Sequence, residues 1–125
     1  MILAIVGDLF FLSKIQQSAG ILKVPIEVAS PANAGDRARA GSPTAILIDL
    51  NHRAGTAVDL IQRIKSDPTT ERIPIVGFVS HVQTDLVTAA RAAGCDMVLA
   101  RSAFTKQLPQ LLEELSGRQS ESASK

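Results

Sequence analysis

The sequence of 125 residues has no tryptophan, no tyrosine and a single cysteine, and it carries almost no net charge. Four phenylalanines are its only aromatic side chains, so we expect an aliphatic core and no aromatic platform on which nucleic-acid bases stack. The lone Cys95 excludes an internal disulfide and fits a reducing, cytoplasmic setting. Thirteen basic against 12 acidic residues give a formal charge of +1. No overall field therefore favours nucleic acid, anionic membranes or acidic substrates as partners.

Long hydrophobic runs are also missing. The apolar run at the N-terminus ends after a few residues at Gly7 and Asp8, and no basic stretch precedes it. We interpret it as a first β-strand, and not as a signal peptide or membrane span. The length suits one domain. Residues 117–125 offer no large apolar side chain, so we predict a single folded domain over 1–116 and a disordered tail over 117–125.

Five short apolar runs are present instead, and stretches with the apolar spacing of helices separate them. Runs without polar alternation are typical of strands buried on both faces of a parallel sheet. The alternation predicts an α/β fold, a doubly wound (βα)5 flavodoxin-like three-layer sandwich with strand order 2-1-3-4-5. The predicted strands are Ile2–Val6, Ile26–Ala29, Ala45–Asp49, Ile73–Val79 and Met97–Ala100.

Helix ends can be predicted for the third and fourth helices. Thr56 with Asp59 and Ser80 with Gln83 have the spacing of capping boxes, in which a hydroxyl and a carboxylate or amide satisfy the first free N–H groups. Gly94 is typical of the residue that ends a helix.

Two other predicted helices contain helix breakers. Gly35 interrupts the stretch Pro31–Ala40, whose apolar residues are all alanine, so we expect only a short or frayed helix there. Pro109 is tolerated only in a first helical turn, which predicts that the last helix begins near Thr105.

Two aspartates follow predicted neighbouring strands. Asp8 follows the first strand and Asp49 ends the third. Open α/β sheets bind ligands in a crevice at the carboxyl ends of their strands. We therefore expect both carboxylates at one acidic site.

In this order the motifs resemble the receiver domain of two-component response regulators, the CheY-like superfamily, over about residues 2 to 116. In that family an acidic pair and a phosphoacceptor aspartate bind Mg²⁺, while a Thr or Ser and a Lys contact the phosphoryl group. The resemblance implies that Asp49 is at the phosphoacceptor position and Asp8 at the second position of the acidic pair. It also implies that the backbone carbonyl of Asn51 serves the metal.

Four family positions are substituted. Gly7 replaces the first acid, Val79 the Thr or Ser, Val98 the switch aromatic and Arg101 the lysine. The chain therefore resembles a degenerate receiver, or pseudo-receiver. Phosphorylation of Asp49 is expected to be impaired or absent, and Mg²⁺ binding by Asp8, Asp49 and Asn51 to be weak.

Alternatives remain for several residues beside this crevice. We expect Arg101 to bridge to Asp49 through its planar guanidinium, and the alternative is an exposed arginine at a strand end. Ser80 could supply the hydroxyl lost at Val79, although its capping role is favoured. Phe10 could be exposed and contact a partner, or it could pack as a hydrophobic staple at the entry to the first helix. The staple is the commoner outcome.

His52 and His81 follow the third and fourth strands. Together with Asp8 and Asp49 they could bind a transition metal. Solvated loop histidines are the commoner outcome.

We interpret the chain as a stand-alone signalling module of a two-component or phosphorelay-type pathway. It would bind a protein partner, a sensor kinase or downstream effector, as a monomer or weak homodimer, with neither nucleic acid nor membrane as partner and no enzymatic turnover. Two other classes stay open: a small α/β hydrolase or phosphatase using Asp49, and a small-ligand sensor at the same crevice. The chain has neither a nucleophile elbow nor a glycine-rich phosphate loop to support the first of these.

Overall fold

The computed structural model of the protein describes residues 1–52, 57–80 and 83–117. Five parallel strands form one sheet in the order β2-β1-β3-β4-β5, which confirms the predicted fold. Strands and helices alternate along the chain: β1 Ile2–Ile5, α1 Leu9–Leu22, β2 Ile26–Val28, α2 Ala34–Gly41, β3 Ala45–Asp49, α3 Ala57–Ser66, β4 Ile75–Val79, α4 Thr84–Ala93, β5 Met97–Ala100 and α5 Arg101–Leu115.

Helices cover both faces of the sheet. One core cluster joins the sheet to α2, α3 and α4, and the other joins it to α1 and α5. Strands β1, β3 and β4 are buried at every position. This double burial explains why their sequences are continuously apolar and why they do not alternate with polar residues.

Helix α1 is capped at both ends by residues outside it. The Oδ1 atom of Asp8 accepts hydrogen bonds from the N–H groups of Phe10 (2.9 Å) and Phe11 (3.2 Å). These bonds satisfy two of the free donors at the start of the helix. At the other end Lys23 adopts the left-handed conformation with φ of 60°.

Gly94 ends α4 with φ of +113°, as predicted, because glycine reaches this backbone region without strain. A Cβ atom at this position would also lie 2.7 Å from Cγ of Lys65. Close packing against α3 and the backbone angle therefore both favour glycine.

The prediction that Ser80 and Gln83 form a capping box is wrong. Helix α4 begins at Thr84, and its N-cap, Gln83, makes no side-chain capping bond. The hydroxyl of Ser80 instead donates to the side chain of Asn51. The other predicted capping box cannot be compared, since Thr56 lies outside the described residues.

The predicted start of the last helix near Thr105 is also wrong. Helix α5 begins at Arg101, directly after β5, so Pro109 lies in its interior. The proline ring is exposed, and the apolar residues on the other face are buried in the core. Burial of that face outweighs the hydrogen bond that Pro109 cannot donate. The weakly predicted second helix is present as α2, over eight residues.

The predicted tail falls mostly on residues 118–125, which lie outside the described part of the chain. Within the described residues, no helix is both long and apolar enough to cross a membrane.

Candidate functional site

A cleft of about 240 Å³ opens at the carboxyl ends of the central strands. It lies where β1, β3 and β4 end and α5 begins, which is the edge at which doubly wound sheets bind ligands. The structure thus brings Asp8 and Asp49 to the same cleft. The lining residues are Gly7, Asp8, Asp49, Asn51, Ser80 and Arg101.

Asp49 is the buried carboxylate of the cleft, with only 4% of its surface exposed. Its Oδ1 atom accepts a hydrogen bond from the backbone N–H of Asn51 over 2.9 Å. Its backbone carbonyl accepts from the N–H of His52 over 3.1 Å. The turn after β3 therefore fixes this side chain at the mouth of the cleft and leaves acceptor capacity on the carboxylate.

Asp8 uses both of its carboxylate oxygens. Oδ1 caps α1, and Oδ2 accepts a hydrogen bond from Nη1 of Arg101 over 3.1 Å. The N–H of Phe11, followed by the guanidinium of Arg101, lowers the pKa of Asp8 below its usual value of 3.8, although partial desolvation opposes the shift. Asp8 is therefore a structural anion as well as a member of the cleft.

The expected bridge between Arg101 and Asp49 is wrong: the partner of Arg101 is Asp8. The guanidinium also lies over the ring of Phe11, 4.5 Å from its centre, in cation–π contact. Nε of Arg101 is buried and has no hydrogen-bond partner among the described residues. Because Arg101 is the first residue of α5, its charge stands at the unfavourable positive end of that helix. Asp8 and Phe11 together compensate for this placement.

The ring under Arg101 is that of Phe11, which belongs to a cluster of three phenylalanines. Phe11 lies 4.8 Å from Phe78 and 5.6 Å from Phe104, and Phe78 stacks on Phe104 at 4.8 Å between ring centres. Phe78 and Phe104 are fully buried, and Phe11 nearly so. The cluster joins α1, β4 and α5, and it gives Arg101 a rigid apolar surface. Sequence reasoning missed it, because no local spacing connects positions 11, 78 and 104.

The side chain of Asn51 links the loop after β3 to the loop between β4 and α4. Its Oδ1 atom accepts from the N–H of Ser80 (2.8 Å) and from the Ser80 hydroxyl (3.0 Å). Its Nδ2 atom donates to Oε1 of Gln83. The sequence analysis assigned Asn51 only a backbone role, and it missed this contact between the end of β3 and the start of α4.

The substituted positions differ in where the structure places them. Val79 is buried and packs with the helices on the α3 and α4 side, whereas Ser80 supplies the hydroxyl that lines the cleft. Val98, at the switch position, is half-buried against the same core cluster. Gly7 is exposed at the cleft, and a Cβ atom there would lie 3.4 Å from the ring of His52. The imidazole thus borders the space that an acidic side chain at position 7 would enter.

The remaining candidates have separate outcomes. Phe10 is 88% exposed, so the expected hydrophobic staple is wrong and the ring faces solvent. His81 lies outside the described residues, and within the described ones no three His, Cys, Asp or Glu side chains form a metal-binding group. Cys95 is buried, and burial raises the pKa of its thiol, as expected for a packing residue.

A second cavity of about 190 Å³ lies between α2 and α3, away from the acidic cleft. Arg39 projects there and bonds to Asp67 over 2.9 Å and to Asp36. Thr69, followed by Arg39, lowers the pKa of Asp67. Arg39 thus bonds to an acid within α2 and to one directly after α3, and these bonds link the two helices.

Comparison with solved structures finds this fold in response regulators. The phosphorylated cyanobacterial phytochrome response regulator RcpA is 25% identical, with a TM-score of 0.73 over 91% of this chain and 89% of that one. The Mn²⁺-bound response regulator Rcp1 is 19% identical, with a TM-score of 0.72 over 90% and 91%. The receiver domain of a Pseudomonas aeruginosa sensor histidine kinase, with magnesium coordinated in its active-site cleft, is 18% identical, with a TM-score of 0.80 over 93% and 96%. No family model and no curated protein matches the sequence.

Proposed function

We propose that this chain, which has the fold of response-regulator receiver domains, is a signalling module that acts by binding a protein partner. The partner would be a sensor kinase or a downstream effector of a two-component or phosphorelay-type pathway. The phosphorylation switch at Asp49 is impaired or absent, and the chain turns over no substrate. The matching structures support the receiver assignment, and the cleft supports the loss of the switch.

The observation that carries the proposal is the ion pair between Arg101 and Asp8 (3.1 Å). A carboxylate that accepts a phosphoryl group needs positive charge free to meet the incoming oxygens. Among the described residues, the guanidinium that lines the cleft is that of Arg101, and it already binds an acid and lies over the ring of Phe11. Arg101 therefore neutralises Asp8, and its charge is not free to meet a phosphoryl group on Asp49.

The hydroxyl in the cleft is committed as well. Ser80 donates to Asn51, and Val79 offers no polar group at the position where the family has Thr or Ser. A phosphoryl oxygen arriving at Asp49 would have to break the bond between Ser80 and Asn51 before that hydroxyl could donate to it. The two side-chain contacts together favour a closed, unswitched site.

The donor set fits a weak Mg²⁺ site. Asp49 retains acceptor capacity, and Mg²⁺ needs few protein carboxylates because it keeps several waters. Asp8 and the backbone carbonyl of Asn51 would be the other protein ligands. Bound there, the ion would neutralise charge on a phosphoryl group. Arg101 competes for Asp8, and Gly7 contributes no acid, so affinity is expected to be low.

Phosphorylation of the purified protein tests the proposal. With acetyl phosphate and Mg²⁺, we expect slow or absent addition of one phosphoryl group by intact-mass spectrometry, under conditions that label an ordinary receiver. Beryllofluoride should likewise cause few amide chemical-shift changes. Arg101→Lys removes the guanidinium that binds Asp8 and lies over Phe11 while keeping the charge, so labelling of this variant should be faster.

Asp49→Asn serves as the matched control, because it removes the acceptor oxygen with little change in shape. Rapid Mg²⁺-dependent labelling of the wild type that Asp49→Asn abolishes would contradict the proposal and show an intact switch.

A further inference from the structure

The exposed surface of α1 carries an apolar stripe that the cleft does not use. Three large apolar side chains on this helix are mostly exposed: Leu9 (77%), Phe10 (88%) and Ile21 (82%). The other large apolar residues exposed in the described part of the chain, Val28 and Met97, are about half as exposed and lie on the two edge strands. The apolar surface is therefore concentrated on one helix.

Helical geometry aligns the stripe. Phe10 and Ile21 are 11 residues apart, which places them roughly 20° from each other around the helix and about 16 Å apart along it. Lys14 and Gln17 lie between them on the same exposed side. This side is opposite the face that α1 buries through Phe11, Leu12, Ile15 and Ala19. The stripe, defined as residues 10, 14, 17 and 21, is thus straight and unpartnered within the described chain.

We propose that this stripe docks against the same stripe of a second copy of the chain, with the two α1 helices antiparallel. A two-fold axis through the middle of the stripe places Phe10 opposite Ile21 of the second copy and Lys14 opposite its Gln17. Such an interface is isologous and closed. Each aromatic ring meets a β-branched side chain, and no charge meets a like charge.

Charge favours a second copy over a strongly charged partner. Lys14 is the only charged residue in α1, and neither its first turn contains an acid nor its last turn a base. An acidic or basic partner would find one cation and no anion here. A second copy offers the uncharged amide of Gln17 to that cation and apolar surface to both ends of the stripe.

The size of the surface predicts a weak dimer. The four exposed side chains of the stripe offer on the order of 400–500 Å² in each copy. The total is then about 900 Å², below the roughly 1,200 Å² of stable specific interfaces. We expect association in the high-micromolar range.

Sedimentation velocity over about 10 µM to 1 mM protein tests the proposal on the full chain. Dimer formation should weaken at least tenfold in Phe10→Gln and in Ile21→Gln, both neutral changes at exposed sites that leave the circular dichroism unchanged. Gln17→Glu should strengthen association several-fold by facing Lys14 of the second copy, and Gln17→Lys should weaken it. Gln62→Glu and Gln62→Lys make the same charge changes on α3, across the sheet, and should have no effect.

Each contrary result identifies what is wrong. A chain that stays monomeric at 1 mM overturns the proposal and leaves the stripe to a different protein. A dimer insensitive to Phe10→Gln and Ile21→Gln overturns it in favour of another interface. Equal effects of Gln17→Glu and Gln17→Lys would overturn the antiparallel pairing. None of these outcomes depends on whether Asp49 is phosphorylated, so this inference and the proposed function can fail separately.

Discussion

The carboxylate of Asp8 has two structural roles, one for each oxygen. It caps α1 through one oxygen and holds Arg101 through the other. In a working receiver the residue at this position is free to serve a metal. Here the bond to Arg101 stabilises the fold and also occupies an oxygen that a metal ion would need. Variants of Asp8 therefore test most directly whether the cleft is closed.

The lowered pKa of Asp8 makes its contribution to stability depend on pH. Because the folded-state pKa lies below the usual 3.8, the contribution is present above the unfolded-state pKa and is lost as the pH falls through the folded-state pKa. Asp8→Asn retains a capping oxygen but not the charge. We expect urea unfolding to show the variant less stable than the wild type at pH 7, with the difference shrinking below about pH 4.

Asp8→Ala is the companion variant, since it removes the cap as well as the charge. It should be less stable than Asp8→Asn at every pH. A wild-type advantage over Asp8→Asn that stays constant from pH 7 to pH 3 would show that the ion pair with Arg101 contributes nothing.

Helix α5 shows how packing overrides local sequence preference. Pro109 forbids one backbone hydrogen bond in the middle of the helix, yet α5 continues through it from Arg101 to Leu115. Phe104, Leu108, Leu111 and Leu112 are all buried on its inner face. The helix therefore starts directly after β5, where its inner face is buried in the core, and not near Thr105, where Pro109 would lie in the first turn.

Replacing this proline tests that interpretation. Pro109→Ala restores the N–H group at an exposed position and should raise the free energy of unfolding by about 1–2 kcal/mol, since the gain in helix propensity exceeds the loss of chain stiffness in the unfolded state. Urea denaturation at pH 7 measures it. Gln107→Ala, another exposed site on α5, should change stability little. A destabilised Pro109→Ala would mean that the proline is part of the helix's preferred shape.

At the scale of the whole molecule, the proposed function depends on surfaces and not on the cleft. We propose as the docking surface the face formed by α4, β5 and α5, because receiver domains commonly use it for partners. It carries exposed charges of both signs, Asp85 on α4 and Lys106 on α5. Helix α5 packs beside α1 on the same face of the sheet, so this docking surface borders the α1 stripe without including it.

Charge reversal distinguishes docking from a phosphorylation switch. Asp85→Lys and Lys106→Glu should each weaken capture of the partner in a pull-down, whereas Asp49→Ala should leave capture nearly unchanged. Gln62→Lys, on α3, is a charge-changing control away from this face. Binding that survives both reversals but is lost in Asp49→Ala would favour a switch operating through the cleft.

The architecture follows from the pattern of apolar residues along the chain. Continuous apolar runs such as Ile2–Ile5 and Ala45–Asp49 can be buried only in a sheet covered on both faces, and the helices between them impose parallel strands. The same logic placed Asp8 and Asp49 at one edge, because strand ends are fixed by the strands. Gly94 was likewise predictable, since the end of a helix is a local event governed by one backbone angle.

Which groups in the cleft bind one another depends on contacts between distant parts of the chain. Arg101 was expected to reach Asp49, but it binds Asp8, because a ring 90 residues away in the chain, Phe11, lies beneath its guanidinium. Ser80 has the local spacing of a capping box, yet its hydroxyl donates to Asn51, which follows the neighbouring strand β3. The possible partners of such a side chain are far apart in the sequence, so local spacing does not show which of them it binds. A difference of about 1 kcal/mol between two neutral hydrogen bonds is enough to decide between them.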